Sequence, residues 1–224
     1  MADNVAPAAP FELAEILGEA APDAIEILDV GAMIEGQPRY DALLRQENCR
    51  ITGFEVNPER IPEIRATLPP GSQVLPYALG DGDPATLHLT LYRGCSSLFE
   101  PNADVIDMFE SISASSEAGN FKVVGEVAVE TVRLDDADEC PSADFAKLDV
   151  QGAELLVLEH GMQKLADALI IETEVEFVEI YRGQPLFGDI ETFMRSHGFV
   201  LHKMIDIAGR NFRPMSTGNP ADAI

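Results

Sequence analysis

The stretch KLDVQGAE, residues 147–154, brings a lysine, an aspartate and a glutamate together around one glycine. The mostly apolar residues ADFA (143–146) precede it, and the helix-forming residues LLVLEHG (155–161) follow it. This pattern predicts a buried strand that ends in charged residues, then a turn at the glycine, then a helix. Ligands in open parallel sheets collect beyond the carboxyl ends of the strands, so we expect these charged residues to border a binding site.

Segments of these two kinds alternate along most of the chain. The predicted strands cover 24–32, 50–56, 72–80, 143–150, 168–175 and 199–205, and the predicted helices cover 11–20, 38–47, 59–68, 153–165 and 186–198. Strands that alternate with helices predict an α/β fold, with a mainly parallel sheet and helices on both faces. Residues 86–92 and 127–136 are extended stretches that interrupt this order, and the first has the alternation of an antiparallel strand. Residues 103–126 are polar and rich in serine, which indicates an insertion or a lid.

The charge balance argues against two classes of partner. Lysine and arginine number 15, and aspartate and glutamate number 39, which gives a formal net charge of -24. Nucleic-acid backbones and anionic membrane surfaces both require clustered basic residues, so we expect no nucleic-acid and no membrane partner. The sequence also lacks a run of about 20 apolar residues, the length that a membrane-spanning helix needs.

The cysteines and histidines indicate no metal site. Cys49, Cys95 and Cys140 are widely spaced, and the four histidines lack the spacing of metal ligands. An odd number of such cysteines is typical of a reducing compartment. The first ten residues lack the basic and apolar regions of a signal peptide. We expect a cytoplasmic protein, or one whose targeting element is absent from this sequence, and oligomer formation is left open.

Four acidic residues stand at or just after the ends of predicted strands: Asp29, Glu55, Asp81 and Asp149. Each one alone is more often the cap of a helix or turn than a ligand contact. Together they predict a ligand site, because the carboxyl ends of parallel strands meet at one edge of the sheet.

The first glycine-containing turn bears on the identity of the ligand. A dinucleotide site needs the spacing G-x-G-x-x-G, and residues 29–36 read DVGAMIEG, which does not match. The chain also lacks the lysine motif of a phosphate-binding loop. An acid two residues before the first glycine suits a ligand with a cationic amino-acid group and no phosphate, such as S-adenosylmethionine. A nicotinamide-dependent oxidoreductase is a weaker alternative.

Several motifs resemble, in order and spacing, those of FkbM-type methyltransferases. They are DVGA (29–32), GFEVNPE (53–59), ALGD (78–81), SSLFEP (96–101), VETVRLDD (129–136), KLDVQGAELLVLEHG (147–161), ETEVEFVEIYRGQPLF (172–187) and HGF (197–199). The resemblance covers roughly residues 25–203. It implies a class I Rossmann-like methyltransferase fold, S-adenosyl-L-methionine as cofactor, and methyl transfer to oxygen. The acceptor it implies is a small molecule or glycan, often a sugar or polyketide hydroxyl.

The resemblance also assigns residues to the cofactor site. The matching positions are Asp29, Gly31 and Ala32 in the first loop, Glu55 for the ribose, Gly80 and Asp81 beside the adenine, and Lys147, Asp149, Gly152 and Glu154 near the methionine moiety and the acceptor.

Methyl transfer requires an acceptor oxygen aligned behind the methyl group and a group that removes its proton. Asp149 is the expected proton acceptor, with Glu174 and then Glu172 as weaker candidates, and cofactor positioning is an equal alternative for Asp149. Two positions depart from the family pattern. Met33 replaces a second glycine of many relatives, and Gln151 replaces the usual glutamate. The alternative function is a non-catalytic nucleotide-binding or regulatory module with a degenerate methyltransferase fold.

The expected organisation is an N-terminal arm and helix over residues 1–24, a methyltransferase domain over 25–206, and a C-terminal tail over 207–224. The fold resembled here usually closes with an antiparallel strand pair, and the sequence after residue 205 offers no second strand of that kind. We therefore expect a truncated chain, or a last strand replaced by a loose tail or by a partner.

Overall fold

A five-stranded parallel sheet with the strand order β3-β2-β1-β7-β8 forms the centre of the protein. The computed structural model describes residues 23–31, 40–44, 49–207 and 209–213. The strands are β1 (Ile25–Val30), β2 (Cys49–Phe54), β3 (Gln73–Leu75), β4 (Ala78–Leu79), β5 (Pro84–Thr90), β6 (Val123–Val132), β7 (Phe145–Leu148) and β8 (Ile170–Thr173). The parallel sheet confirms the predicted α/β fold.

The helices are short, and most of them follow strands of the parallel sheet. They are α1 (Asp41–Leu44), α2 (Ile61–Thr67), α3 (Ala103–Ile106), α4 (Glu154–Glu159), α5 (Met162–Leu165) and α6 (Phe187–Ser196), with single 3₁₀ turns at Arg93–Cys95 and Leu134–Asp136. No helix in the described ranges is long and apolar enough to cross a membrane. The predicted helix at 11–20 lies outside the described residues.

The pleat of the central strands divides their side chains between two hydrophobic layers. Ile27 of β1 is in register with Ile51 of β2 and with Phe145 of β7, so these three side chains share one face. They pack with Tyr40 and with Leu43 of α1.

The neighbouring strand positions pack on the opposite face. Leu28 and Leu148 lie there in one cluster with Val157 of α4, Leu165 of α5 and Ile190 of α6. Helices therefore cover both faces of the sheet, as predicted, and burial of each aliphatic side chain contributes roughly 1.5–3 kcal/mol.

A second, three-stranded sheet with the order β4-β6-β5 lies beside the first. Strands β5 and β6 pair antiparallel from Pro84–Glu130 to Thr90–Val123, which confirms the predicted antiparallel excursion. The prediction of a single strand over 72–80 is wrong, because Pro76 and Tyr77 separate two short strands there. β3 pairs with β2 before the break, and β4 pairs with β6 after it. Proline lacks the N–H that a continuing ladder needs.

The predicted insertion, residues 103–126, is anchored by its own apolar cluster. Ile106, Phe109, Ile112 and Phe121 are buried there together with Tyr181 from the far end of the chain. Whether this segment acts as a lid stays a prediction.

Residues near the C-terminal end of the described chain contact residues 107–112 of the same segment. The Arg213 guanidinium donates to the carbonyls of Asp107, Glu110 and Ile112. The ring of Phe212 stacks on Phe109 at a centroid distance of 4.7 Å.

Two other predicted elements are wrong in detail. The helix predicted over 153–165 divides into α4 and α5 at Gly161, where a Cβ atom would lie 2.6 Å from Leu134 Cδ2. The strand predicted over 199–205 is not formed, and Val200 and Leu201 are 83% and 59% exposed. An extended apolar segment becomes a strand only where its backbone meets a ladder partner, and this segment meets none among the described residues. The residues expected to form the tail lie mostly outside the described ranges, so that expectation stays a prediction.

Gly31, directly after β1, has a left-handed φ of 81°, and a Cβ there would lie 2.0 Å from the backbone oxygen of Asp149. Gly31→Ala combines backbone strain with overpacking, so we expect it to lower the free energy of unfolding by about 3–5 kcal/mol. Gly183 also has a left-handed φ, of 73°, but no atom lies within 4 Å of its Cβ position. Gly183→Ala should therefore cost about 1–2 kcal/mol, from strain alone. Urea unfolding of both variants measures the difference, and equal losses would contradict the close approach of the two loops.

Candidate active site

The carboxyl ends of β1, β2, β7 and β8 open into one large cleft. Parallel strands place these ends at a common edge, which is why residues distant in sequence meet there. The polar residues that line the cleft at this edge include Asp29, Glu55, Lys147, Asp149, Gln151, Glu172, Glu174 and Glu176.

The first group of charges in the cleft is built on the register of β1 and β7. Asp29 lies opposite Lys147 in the ladder, so both side chains project from one face. The Lys147 ammonium lies 3.5 Å from Asp29 Oδ1 and 3.4 Å from Asp149 Oδ2. Tyr40, which covers the same face, donates its hydroxyl hydrogen to Asp29 Oδ2 at 2.5 Å. Asp29 is 7% exposed and is thus held almost entirely by protein groups.

Lys147 is the cation that two carboxylates share. Burial lowers the pKa of Lys147, but the charges of Asp29 and Asp149 outweigh burial and leave that pKa above its ordinary value. Burial and the neighbouring charge of Asp29 raise the pKa of Tyr40, so Tyr40 is a neutral hydrogen-bond donor at physiological pH. The group therefore carries one positive and two negative charges, of which Asp149, 41% exposed, faces the cleft most openly.

A second group joins the two predicted catalytic carboxylates. Gln151 Nε2 lies 2.9 Å from Asp149 Oδ1 and 2.6 Å from Glu174 Oε2. The Gln151 side-chain oxygen accepts a hydrogen bond from the Tyr181 hydroxyl at 3.0 Å. The structure therefore brings Asp149 and Glu174 together, with one amide between them.

Crowding of carboxylates changes their acidity. Glu174 projects into the cleft from the end of β8, and its partial burial and the charge of Asp149 raise its pKa well above the ordinary value. Burial and the charge of Glu174 raise the pKa of Glu176 to about 7. Carboxyl groups whose pKa values are raised in this way at the edge of a cleft are typical of sites that move protons.

Glu154 belongs to the structure of the turn rather than to the cleft. It is 1% exposed, and its two carboxylate oxygens accept the backbone N–H groups of Val150 and Gly152 at 2.8 and 2.9 Å. Burial and the charge of Glu176 raise its pKa to about 8. The glutamate that closes the KLDVQGAE stretch thus holds the turn into α4, and Gly152 adopts a φ of 99° within that turn.

Glu55 lies just after β2 with its side chain 11% exposed. Oε1 accepts the backbone N–H of Asn57 at 2.8 Å, and Oε2 lies 3.3 Å from an Arg60 guanidinium nitrogen. A carboxylate oxygen has two lone pairs, so each oxygen retains one for a ligand. Glu55 therefore has a structural role in the turn and also the capacity to accept two hydroxyl donors.

Two further predicted cofactor residues, Gly80 and Asp81, do not join this edge. Gly80 and Asp81 follow β4, which belongs to the second sheet, so the expectation of four acids at one sheet edge is wrong for Asp81. Its side chain accepts the N–H of Asp83 at 3.0 Å, as a turn residue does. Ala32 and Met33 lie outside the described residues.

Four residues of the site were not recognised from the sequence: Tyr40, Glu176, Tyr181 and Ser97. Tyr181 is 1% exposed and bonds Gln151, but nothing in its sequence neighbourhood distinguishes it from a core tyrosine. Ser97 donates its hydroxyl hydrogen to the Gln151 carbonyl at 2.6 Å, and it lies in the SSLFEP motif without a distinguishing residue pattern of its own. Among the described residues, no group of three or more His, Cys, Asp or Glu side chains is arranged to hold a metal ion.

The raised pKa values make the stability of the protein depend on pH. In the folded state Glu176 binds its proton up to pH of about 7, whereas in the unfolded chain it releases it near pH 4.3. The stabilisation is therefore fully present below about pH 4.3 and is lost as pH rises through about 7. We expect the Tm to be lower at pH 8 than at pH 5.5, and Glu176→Gln to make this dependence weaker.

The control for this comparison is Glu130→Gln, which removes one exposed acid on β6 and the same unit of net charge. If the two variants change the pH dependence of Tm equally, general charge repulsion is the cause and the cleft acids are not.

A family model described as the methyltransferase FkbM domain matches residues 29–201. No match was found among curated proteins, and none among solved structures. The matched range includes the carboxyl ends of all five strands of the parallel sheet, and this sheet is consistent with a Rossmann-like methyltransferase fold. The chain therefore belongs to the family of methyltransferases with an FkbM domain.

Proposed function

We propose that the protein is an S-adenosylmethionine-dependent methyltransferase that methylates a hydroxyl group of a sugar, a polyketide or a related small molecule. The observation that carries this proposal is the joining of Asp149 and Glu174 by Gln151 at the carboxyl edge of the sheet. Carboxylates at this edge are available to both a cofactor and an acceptor, because the cleft extends from β2 to β8.

The residues directly after β2 suit S-adenosylmethionine. The two remaining lone pairs of Glu55 match the two adjacent hydroxyls of a ribose. Val56, 37% exposed beside Glu55, offers an apolar surface to an adenine base. We assign the ribose to Glu55 and the adenine to the side of Val56.

Bound S-adenosylmethionine would supply a methyl group on a positively charged sulfur. An acceptor oxygen would attack the methyl carbon in line with the carbon–sulfur bond, and the sulfur would leave as a neutral thioether. The protein must therefore align that oxygen and take its proton. Asp149 is our candidate for the proton, because it is the more exposed of the two carboxylates that Lys147 contacts and Gln151 fixes its direction. Glu174, whose pKa is raised, is the second candidate and can hold the proton after transfer.

The test of the ribose assignment uses Glu55→Ala. Each hydrogen bond to a charged group contributes about 1.5–3 kcal/mol, so the Kd for S-adenosylmethionine should rise by roughly 10- to 100-fold. Glu55→Gln keeps one acceptor oxygen and should lose less. Calorimetry measures both, with Glu59→Ala as a control that removes an exposed acid of the same turn.

Glu55 also holds the turn at Asn57, so Glu55→Ala should lower the Tm as well. A lower Tm with full affinity for S-adenosylmethionine would mean that Glu55 supports the turn alone. Binding of NAD in place of S-adenosylmethionine would contradict the proposed cofactor.

The test of the proton acceptor uses Asp149→Asn, which preserves the size of the side chain and removes its charge. We expect methyl transfer to fall by about 10²-fold or more, with a smaller loss of cofactor affinity. Formation of S-adenosylhomocysteine with a panel of sugars and polyols measures transfer, and Asp138→Asn is the exposed control. Unchanged transfer would exclude Asp149 as the base. Binding of the cofactor with no transfer to any acceptor would instead favour a non-catalytic module.

A further inference from the structure

Gln151 has an unusual backbone for a residue with a long side chain. Its φ is 57°, in the left-handed region that favours glycine, asparagine and aspartate. The hydroxyl of Ser97 donates to its carbonyl at 2.6 Å and helps to hold this conformation. A strained, non-glycine residue at the edge of a cleft indicates that its side chain has a task that glycine could not perform.

Both hydrogens of the Gln151 side-chain amide have a carboxylate as their partner. The amide nitrogen carries two hydrogens, and two carboxylates lie within 2.9 Å of it, those of Asp149 and Glu174. The two carboxylates belong to neighbouring strands, since Asp149 follows β7 and Glu174 follows β8. One amide can hold both because each hydrogen goes to a different carboxylate.

The two carboxylates fix which way the amide points, because they accept from its hydrogens and so face its nitrogen. The amide oxygen then faces Tyr181, whose hydroxyl lies 3.0 Å from it and 2.9 Å from the carbonyl of Cys95. Burial raises the pKa of Tyr181, so the hydroxyl keeps its hydrogen and can donate to the amide oxygen.

We propose that Gln151 is a positioning residue: its amide holds the Asp149 and Glu174 carboxylates in one fixed arrangement, and Tyr181 holds the amide. The inference rests on the proposed function for its catalytic meaning, because the two carboxylates are the proton acceptors proposed for methyl transfer. It goes further in assigning their arrangement to a residue with no part of its own in the proposed proton transfer.

The charges around Asp149 and Glu174 decide whether loss of the amide raises or lowers the pKa of Glu174. Lys147 and Asp149 face Glu174 from β7 and the turn after it, Glu154 from α4, and Glu176 from the segment after β8, with Tyr181 behind the amide. Negative groups predominate, so the amide hydrogen bonded to Glu174 favours the charged form of Glu174. Loss of this hydrogen should raise the pKa of Glu174, and a carboxylate in place of the amide should raise it more.

Two variants separate this role from a structural one. Gln151→Asn retains an amide and suits the left-handed backbone, but it is one methylene too short to reach both carboxylates. Gln151→Glu retains the length and replaces the amide hydrogens with a third negative charge. If Gln151 mattered for the turn alone, Gln151→Asn would behave as wild type.

The first measurement needs no cofactor and no acceptor. Carbon-13 NMR of labelled glutamate carboxyls follows the titration of Glu174, with Glu174→Gln to assign its signal. We expect the midpoint to rise by about 1 pH unit in Gln151→Asn and by more in Gln151→Glu, with the Tm of Gln151→Asn unchanged or higher. An unchanged midpoint in Gln151→Asn would overturn the proposal.

The second measurement is the pH dependence of methyl transfer. We expect kcat at pH 7 to fall by about 10-fold in Gln151→Asn, the acidic limb of the profile to move upward, and activity to recover in part at higher pH. The Kd for S-adenosylmethionine should stay within about 3-fold. Loss of kcat without a shift of the limb would count against the proposal. A shifted Glu174 titration in a protein that binds no S-adenosylmethionine would refute the proposed function and leave the amide-held pair intact.

Discussion

A buried carboxylate at the end of the central strand is the constraint on which the rest of the site depends. Asp29 is almost fully enclosed, and a charge in that position is tolerated only when hydrogen bonds and an opposite charge surround it. Tyr40 supplies the hydrogen bond and Lys147 the charge. Because Lys147 is the register partner of Asp29, the requirement ties β1 to β7 at the point where both strands end. The loops after them are thereby brought into backbone contact at Gly31 and Asp149.

The same arrangement leaves a surplus of negative charge along the edge of the sheet. Lys147 is shared between Asp29 and Asp149, while Glu174 and Glu176 stand close by on the chain after β8. Repulsion of this kind favours partial protonation, and amide hydrogens reduce it. Glutamine at position 151 supplies such hydrogens to the carboxylates of Asp149 and Glu174. An uncharged side chain thus contacts two acids where the carboxylates of the cleft are crowded.

Apolar runs in the sequence predicted four of the five parallel strands, because a strand buried on both faces must be apolar along most of its length. The acids at the ends of these strands predicted the edge of the sheet at which the cleft opens. Three features depend on information that local sequence lacks. The separation of β3 from β4, and the absence of a strand at 199–205, are decided by which partner strand is available. The role of Tyr181 depends on a contact with Gln151 thirty positions away.

The attachment of Arg213 to the insertion has a consequence for the order of folding. The hydrogen bond from Arg213 to the Asp107 carbonyl joins positions 106 residues apart, and Tyr181 reaches Cys95 over 86 residues. Closing loops of this length is entropically costly unless the intervening chain is already compact. Strands β1 and β7 meet over a similar separation, 118 residues between Asp29 and Lys147, so both the sheet and this attachment require parts of the chain that are synthesised far apart in time. During synthesis, the wall of the cleft formed by residues 103–122 stays without its outer support until residue 213 has emerged from the ribosome.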